Sequence, residues 1–287
     1  RVKTREYSDY KCLVSTIIED ILRHCSVDEI AGAGVGAPNG NFYNGSIEQP
    51  PNLPWPQITP FAEEVENALG HGKKCALTND ANAAALGEMM YGRAKGMKYF
   101  LVLTLGTGVG SGIVTNGDLI YGKHGFAGEL GHVVVKTDGR DCTCGKVGCL
   151  ETYASATGIR RTIHKLLSDH LEPSLLRGVS FDDLSPRFIT EAAEKGDFIA
   201  QQAFRYTGEI LGQKISDFVV HTNPEAVFLM GGLARAGHWL VDPTRESFNR
   251  YLMPLFQNRG IQIYESGLKD DDAPILGASS LVWKYLV

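Results

Sequence analysis

No stretch of this 287-residue sequence reaches the roughly 20 consecutive apolar residues that cross a bilayer as a helix, so no membrane partner is expected. An excess of positive charge is also missing. With 28 Lys and Arg against 33 Asp and Glu, the net charge is -5 and the pI is near 5.9, which disfavours holding a polyanion through bulk electrostatics; no nucleic-acid partner is expected. Tandem repeats and low-complexity tracts are absent. A secretory pattern is not visible from Arg1 onward, and of six cysteines three (Cys12, Cys25, Cys75) are scattered, so a reducing, cytoplasmic setting is the expectation.

What is present is ordinary globular composition, 43% hydrophobic and 21% charged. At about 100 to 200 residues per domain the length points to two lobes. YKCLVSTIIEDILRH, from Tyr10, places Leu13, Ile17, Ile21 and Leu22 on one helical stripe. An α/β chain that opens on such a helix reads as one whose first strands are missing. IAGAGVGAP then reads as a strand into a glycine-rich turn, and NGNFYNGS and QPPNLPWP as loop. A helix from about Pro60 to Leu69 leads to the strand CALTN and the helix DANAAALGEMM. The block YFLVLTLGTGVGSGIVTNGDLIYG holds two apolar runs around a glycine turn, with Asn116-Gly117 as a hairpin signal before a third run. Residues 154–223 are mostly helical in period. EAVFLMGGLARA reads as strand, Gly-Gly turn and helix start, QIYES as a strand and GASSLVWKYLV as a closing helix. Strands and helices alternate throughout, which makes the class α/β.

Four places could carry chemistry. His132, Cys142, Cys144 and Cys149, spaced H-x9-C-x-C-x4-C, supply a complete tetrahedral shell for a structural Zn²⁺ with no open position for an activated water. In TNDANAAALGE, Asp80 lies where a strand meets a helix. It suits an N-cap, and a helix N-terminus is expected to lower its pKa and weaken it as a base; phosphoryl transfer accepts a weak base because its transition state is loose. LTLGTGVGSGI carries Gly106, Thr107 and Gly108 in a turn between strands. It lacks the Gly-Lys-Ser/Thr ending of a Walker A loop, so it is either a plain tight hairpin or an anion-binding nest. FLMGGLARA puts Gly231-Gly232 between strand and helix, where backbone can lie flat against a nucleotide or form only a close turn.

Taken in order, N-D-A-N, L-x-L-G-T-G-x-G-x-G, G-E-x-G-H, C-x-C-G-x-x-G-C-L-E and a late G-G resemble the ROK family of bacterial sugar kinases and sugar-responsive repressors, its glucokinases in particular. The resemblance runs from about Ile30 to the C-terminus. It implies an actin-like (hexokinase/Hsp70, ribonuclease H-like) ATPase fold of two lobes with an interlobe cleft: a small lobe over 1–84 completed by a C-terminal helix over 275–287, and a large lobe over 85–274 with its zinc loop at 128–151. It further implies ATP and Mg²⁺ as cofactors beside structural Zn²⁺, and a hexose as substrate. Asp80 would be the catalytic base at the sugar 6-hydroxyl. Asn79, Glu129, His132 and Glu151 would hold other hydroxyls, with the turn at Pro38 to Gly40, through Asn39 and Gly40, and Asn52 completing the sugar side. Gly106, Thr107 and Gly108 would face the nucleotide phosphates, and Gly231 and Gly232 the adenosine. Glucose is the first expectation, with N-acetylmannosamine, N-acetylglucosamine, fructose or allose as alternatives, or a non-catalytic sugar sensor. A homo-dimer or homo-tetramer is implied as well. Family kinases begin with a strand and a D-x-G-G-T phosphate loop that has no counterpart from Arg1 onward, so a fragment of a longer chain is expected. The helix-turn-helix that repressors carry in front of this region has no counterpart either.

Overall fold

The computed structural model describes residues 2–50, 53–269 and 272–287; Asn52 and the role expected of it lie outside the described residues. Along the chain run α1 (Tyr10–Leu22), β1 (Ala33–Gly36), β2 (Gly40–Asn41), β3 (Ser46–Glu48), β4 (Ile58–Thr59), α2 (Phe61–Leu69), β5 (Cys75–Thr78), α3 (Asp80–Tyr91), β6 (Phe100–Leu105), β7 (Val109–Thr115) and β8 (Asp118–Leu119). There follow α4 (Glu151–Ala154), α5 (Ala156–Asp169), α6 (Pro186–Glu194), α7 (Phe198–Thr222), β9 (Ala226–Met230), α8 (His238–Tyr251), β10 (Gln262–Glu265) and α9 (Ala273–Tyr285).

The chain forms two compact units: Arg1–Lys95 with Leu119–Ala127 and Asp271–Val287, and Gly96–Asp118 with Gly128–Asp270. The resemblance implies a boundary at 84, whereas α3 belongs whole to the first unit, because it packs along α9 and beside β1.

In the first unit β1 and β5 pair in parallel, Ala33 opposite Cys75 and Gly36 opposite Thr78. The amphipathic α1 buries Leu13, Val14 and Ile18 against Trp55, Phe61, Val65 and Leu77. Its start is capped by Asp9, whose side chain accepts from the Lys11 amide. A cavity of about 890 Å³, lined by β1 and by apolar side chains including Val14, Ile18, Trp55, Phe61 and Val282, lies beside this sheet. The region read as loop after Pro38 instead builds a three-stranded antiparallel sheet, β2-β3-β4, with Gly40 opposite Ile47 and Ile47 opposite Thr59. Side chains close its turns: Asn44 accepts from the Ser46 amide, and Asn41 donates to Glu48. Strands of two or three residues have no periodicity to betray them.

The second unit is a mixed sheet in the order β10-β9-β6-β7-β8. β9 runs parallel to both β6 and β10, whereas β7 is antiparallel to β6. β6 and β9 are almost wholly buried, which explains their continuous apolar runs. Asn116 and Gly117, with φ of 54° and 84°, form the two-residue turn their pairing suggests. Helix α7 packs along α8, and the core gathers Leu103, Ile159, Phe204, Leu211, Leu229 and Phe248. The helix expected straight after Gly231-Gly232 forms only from His238. A short 3₁₀ turn over Ala234–Ala236 ends at Gly237, whose positive φ of 58° breaks the run.

Candidate active site

Asp80 is placed by the junction of β5 and α3. The strand ends at the buried Thr78, Asn79 stays extended, and Asp80 already has helical geometry. The cap is therefore Asn79, not Asp80: Asn79 Oδ1 accepts from the Ala81 amide at 2.8 Å, and Asp80 Oδ1 shares that donor at 2.9 Å. The expected lowering of the Asp80 pKa is also reversed. Desolvation raises it and outweighs the backbone hydrogen bonds from Ala81 and from its own amide that pull it down. The side chain still reaches solvent, so the carboxylate is hemmed in by protein without being sealed off. That combination suits a proton acceptor better than a fully capped carboxylate would.

Asn39 and Gly40 lie against the same strand end. Asn39 holds a positive φ of 55° and donates its side-chain amide to the Gln49 carbonyl, and Gly40 packs so tightly on the Thr78 carbonyl that a Cβ would collide with it. Gly36, at the end of β1, faces the start of α3. The first unit thus gathers Asn39, Gly40, Asn79 and Asp80 around the ends of two parallel strands.

The second unit gathers the remainder. His132, Cys142, Cys144 and Cys149 have ligand atoms within 4.8 Å of one another, with Cys142 and Cys149 buried and Cys144 exposed. The Cys144 and Cys149 sulfurs are 3.7 Å apart, and Cys142 Sγ is 3.7 Å from His132 Nδ1. A tetrahedron with Zn–S bonds of about 2.3 Å has edges of about 3.8 Å, so both the donor chemistry and the spacing fit that ion. Burial and the neighbouring thiols push the Cys149 thiol up to about 12, so a cation is needed to hold it as thiolate near neutrality. The loop is closed by amides of Cys142 and Gly145 donating to the carbonyls of Lys146 and Cys142, and by Lys146 Nζ donating to the His132 carbonyl. Arg140 ties it to the helices behind, donating to the carbonyls of Thr152 and Gly158 and to Thr162 Oγ1. With Nδ1 on the thiol side, His132 Nε2 points the other way, 4.0 Å from Glu129 Oε2.

The glycine turn joins β6 to β7. The Gly106 amide donates to the Gly108 carbonyl, Gly106 and Thr107 are exposed, and the Thr107 hydroxyl has no partner among the described residues. Glu151 reaches this turn, accepting from the Val109 amide at 3.1 Å. Gly231 follows β9 with φ of 101°, and a Cβ there would sit 2.8 Å from the Leu105 carbonyl oxygen, so only glycine fits. The Leu233 amide donates to the same carbonyl, which sets the Gly231-Gly232 turn beside the glycine loop, while Gly232 faces open space. Two contributors have no motif of their own: Arg140 behind the cysteine loop, and Ser111, which donates to the Gly128 carbonyl and accepts from the Leu130 amide.

The fold is that of the actin-like ATPases, an α/β class shared with solved sugar-kinase structures. Within that class the chain belongs to the ROK family, whose model matches residues 3–285. It is 36% identical over 272 residues to a glucokinase of Thermotoga maritima, covering 94% of this chain and 84% of that protein. A solved ROK family glucokinase from Streptomyces griseus, in complex with glucose and AMPPNP, superposes with a TM-score of 0.78 at 32% identity, over 93% of this chain and 87% of its own. A xylose repressor of Caldicellulosiruptor bescii is 31% identical over 88% of this chain and 62% of its own length. Among the described residues no helix is long and apolar enough to cross a membrane.

Proposed function

We propose that this chain is an ATP-dependent hexose kinase that phosphorylates the 6-hydroxyl, with glucose as the first candidate. The observation that carries the reading is Asp80, a solvent-reaching carboxylate at a strand–helix junction whose pKa is held up by burial. A sugar sensor has no need of such a group. Similarity to glucokinases over nearly the whole chain, one of them solved with glucose and an ATP analogue, supports the same reading.

In this mechanism Asp80 accepts the proton of the 6-hydroxyl as that oxygen bonds to the γ-phosphorus and the bond to the β,γ-bridging oxygen breaks, leaving ADP. The transition state is loose, so the proton moves late and positioning supplies most of the rate. Asn39, Gly40, Asn79, Glu129, Glu151 and His132, through Nε2, hold the other hydroxyls. Carboxylates and an amide suit groups that both donate and accept, and a site built this way rejects analogues that lack a hydroxyl. The Thr107 hydroxyl and the backbone of Gly106 and Gly108 meet the phosphates, and the flat Gly231-Gly232 backbone meets the adenosine. Mg²⁺ bound with the nucleotide would supply neutralisation of the phosphate charge. His132, Cys142, Cys144 and Cys149 would hold a Zn²⁺ ion, which would supply structure only and fix the tautomer and direction of His132.

The second reading, a sugar-responsive regulator that keeps the pocket without turnover, is favoured by the match to the xylose repressor. A coupled assay with ATP and a panel of hexoses and N-acetylhexosamines separates the two. The kinase reading expects turnover, fastest on glucose; sugar binding without phosphorylation of any member would overturn it in favour of the regulator.

A further inference from the structure

Glu151 does more in this structure than face a sugar. It is the first residue after the Cys149-Leu150 end of the cysteine loop, and its two oxygens look in different directions. Oε1 lies 3.7 Å from Cys142 Sγ, and Oε2 accepts from the Val109 amide at 3.1 Å. Val109 opens β7 directly after the glycine turn. β8 is only two residues long, so it leaves the start of β7 uncovered on that side, and the Val109 amide depends on Glu151 for its partner. Gly108 fits this contact closely, since a Cβ there would run into Glu151 Oε2. Further contacts come from the same stretch of chain. The Ala156 amide, at the head of α5, donates to the Gly106 carbonyl, and Gly131 of the G-E-x-G-H segment packs so close to the Val109 carbonyl that a Cβ would overlap it.

From this we infer that Glu151 is a positioning residue that clamps the glycine turn to the metal cluster, so that metal occupancy sets the order of the Gly106–Val109 loop. Leu150, Tyr153 and Ala154 anchor the backbone after the loop in the core, but the loop before Glu151 has only two isolated bridges and the Arg140 hydrogen bonds to keep its order once its thiols are released. A loosened Glu151 frees the Val109 amide, and the turn then loses the partner that fixes its exit. Because the loop is read above as the phosphate site, the clamp makes nucleotide affinity depend on a metal that touches no phosphate; this consequence rests on that reading, whereas the clamp itself does not.

Hydrogen exchange on the full chain without sugar or nucleotide tests the clamp. Removing zinc with a chelator is expected to speed exchange at Val109 on the order of tenfold, while amides of β6 and α7 keep their protection and so report an intact fold. Glu151→Ala is expected to give the same acceleration with zinc still bound, as measured by metal analysis, whereas Glu151→Gln, whose amide oxygen can still accept, stays protected. Unchanged Val109 exchange in Glu151→Ala, or after zinc is removed, would overturn the clamp. Titration with MgADP supplies the separate arm: tenfold weaker binding without zinc is expected. Metal-loaded protein that binds no MgADP while Val109 still responds to zinc would sink the phosphate reading of the loop and leave the clamp standing.

Discussion

Asp80 and Glu151 are both carboxylates assigned to one reaction, yet they are held by different means. Asp80 opens a twelve-residue helix and follows a buried parallel strand, so hydrogen-bonded elements fix its backbone whether or not a ligand is bound. Glu151 opens a four-residue helix anchored in the core by Leu150, Tyr153 and Ala154, and the stretch before it has only two isolated bridges, a few turns, the Arg140 hydrogen bonds and a cluster of thiols. The first carboxylate is placed by secondary structure, whereas the second borders a cluster of donors that fits a metal ion. The difference teaches where each is vulnerable: Asp80 to changes in its own chemistry, Glu151 to changes in its support.

The largest effect is expected from changing Asp80 chemically without moving it. Asp80→Asn keeps the shape and the oxygen that accepts from Ala81, but its amide cannot take a proton. kcat should fall by about 10² to 10⁴ while sugar affinity, read by calorimetry, hardly changes. A mutant with near parental kcat would remove Asp80 from the base role.

Stripping the metal should do the reverse. Chelation, or Cys144→Ser, is expected to weaken sugar binding at least tenfold and lower the melting temperature, with exchange protection in α3 unaffected. The same comparison has a pH signature. Burial and the neighbouring thiols raise the Cys149 pKa to about 12 in the metal-free protein, so a thiol proton must leave for each thiolate that binds. Zinc affinity should therefore drop as pH falls. A competition titration with a chromogenic chelator that finds zinc affinity flat between pH 8 and pH 6, as round working values on the scale of thiol and imidazole titration, would contradict thiolate ligation.

A smaller effect is expected at Gly231. Alanine there must adopt φ of 101° and push a Cβ to 2.8 Å from the Leu105 carbonyl oxygen, at a cost of about 1–3 kcal/mol. KM for ATP should rise while the sugar dissociation constant holds. A rise in the sugar constant alone would contradict the adenosine assignment.

Legibility in the sequence follows the same division. The cysteine cluster was readable because ligand spacing is a local constraint, and the structure brings all four side chains together as the spacing implies. The long helices and buried strands were readable from period and apolar runs. The β2-β3-β4 sheet was not, because its strands carry too few residues for alternation and its turns are made by Asn side chains that look like loop. The Val109–Glu151 contact spans 42 residues and rests on a backbone amide, which no side-chain motif advertises. The direction of the Asp80 pKa shift is not legible for a physical reason: the sequence reveals the helix end that lowers it and hides the burial that raises it.

That last balance gives the smallest predicted effect and the finest test of how Asp80 is held. In the unfolded chain an aspartate titrates near about 3.9, and in the fold its pKa lies higher. Below the unfolded value both states are protonated and the group contributes nothing to pH-dependent stability. Between the two values the folded state binds the proton better, so stability falls as pH rises, and above the folded pKa the full cost of an ionised, hemmed-in carboxylate remains. Asparagine escapes that cost. Asp80→Asn is therefore expected to melt slightly higher than the parent at pH 7, with the gap closing as pH is lowered toward 4. Calorimetric melting across that range decides it. A mutant that melts lower at neutral pH would show that the Ala81 amide and the helix N-terminus stabilise the charged form by more than desolvation costs, and would make Asp80 a carboxylate held for structure.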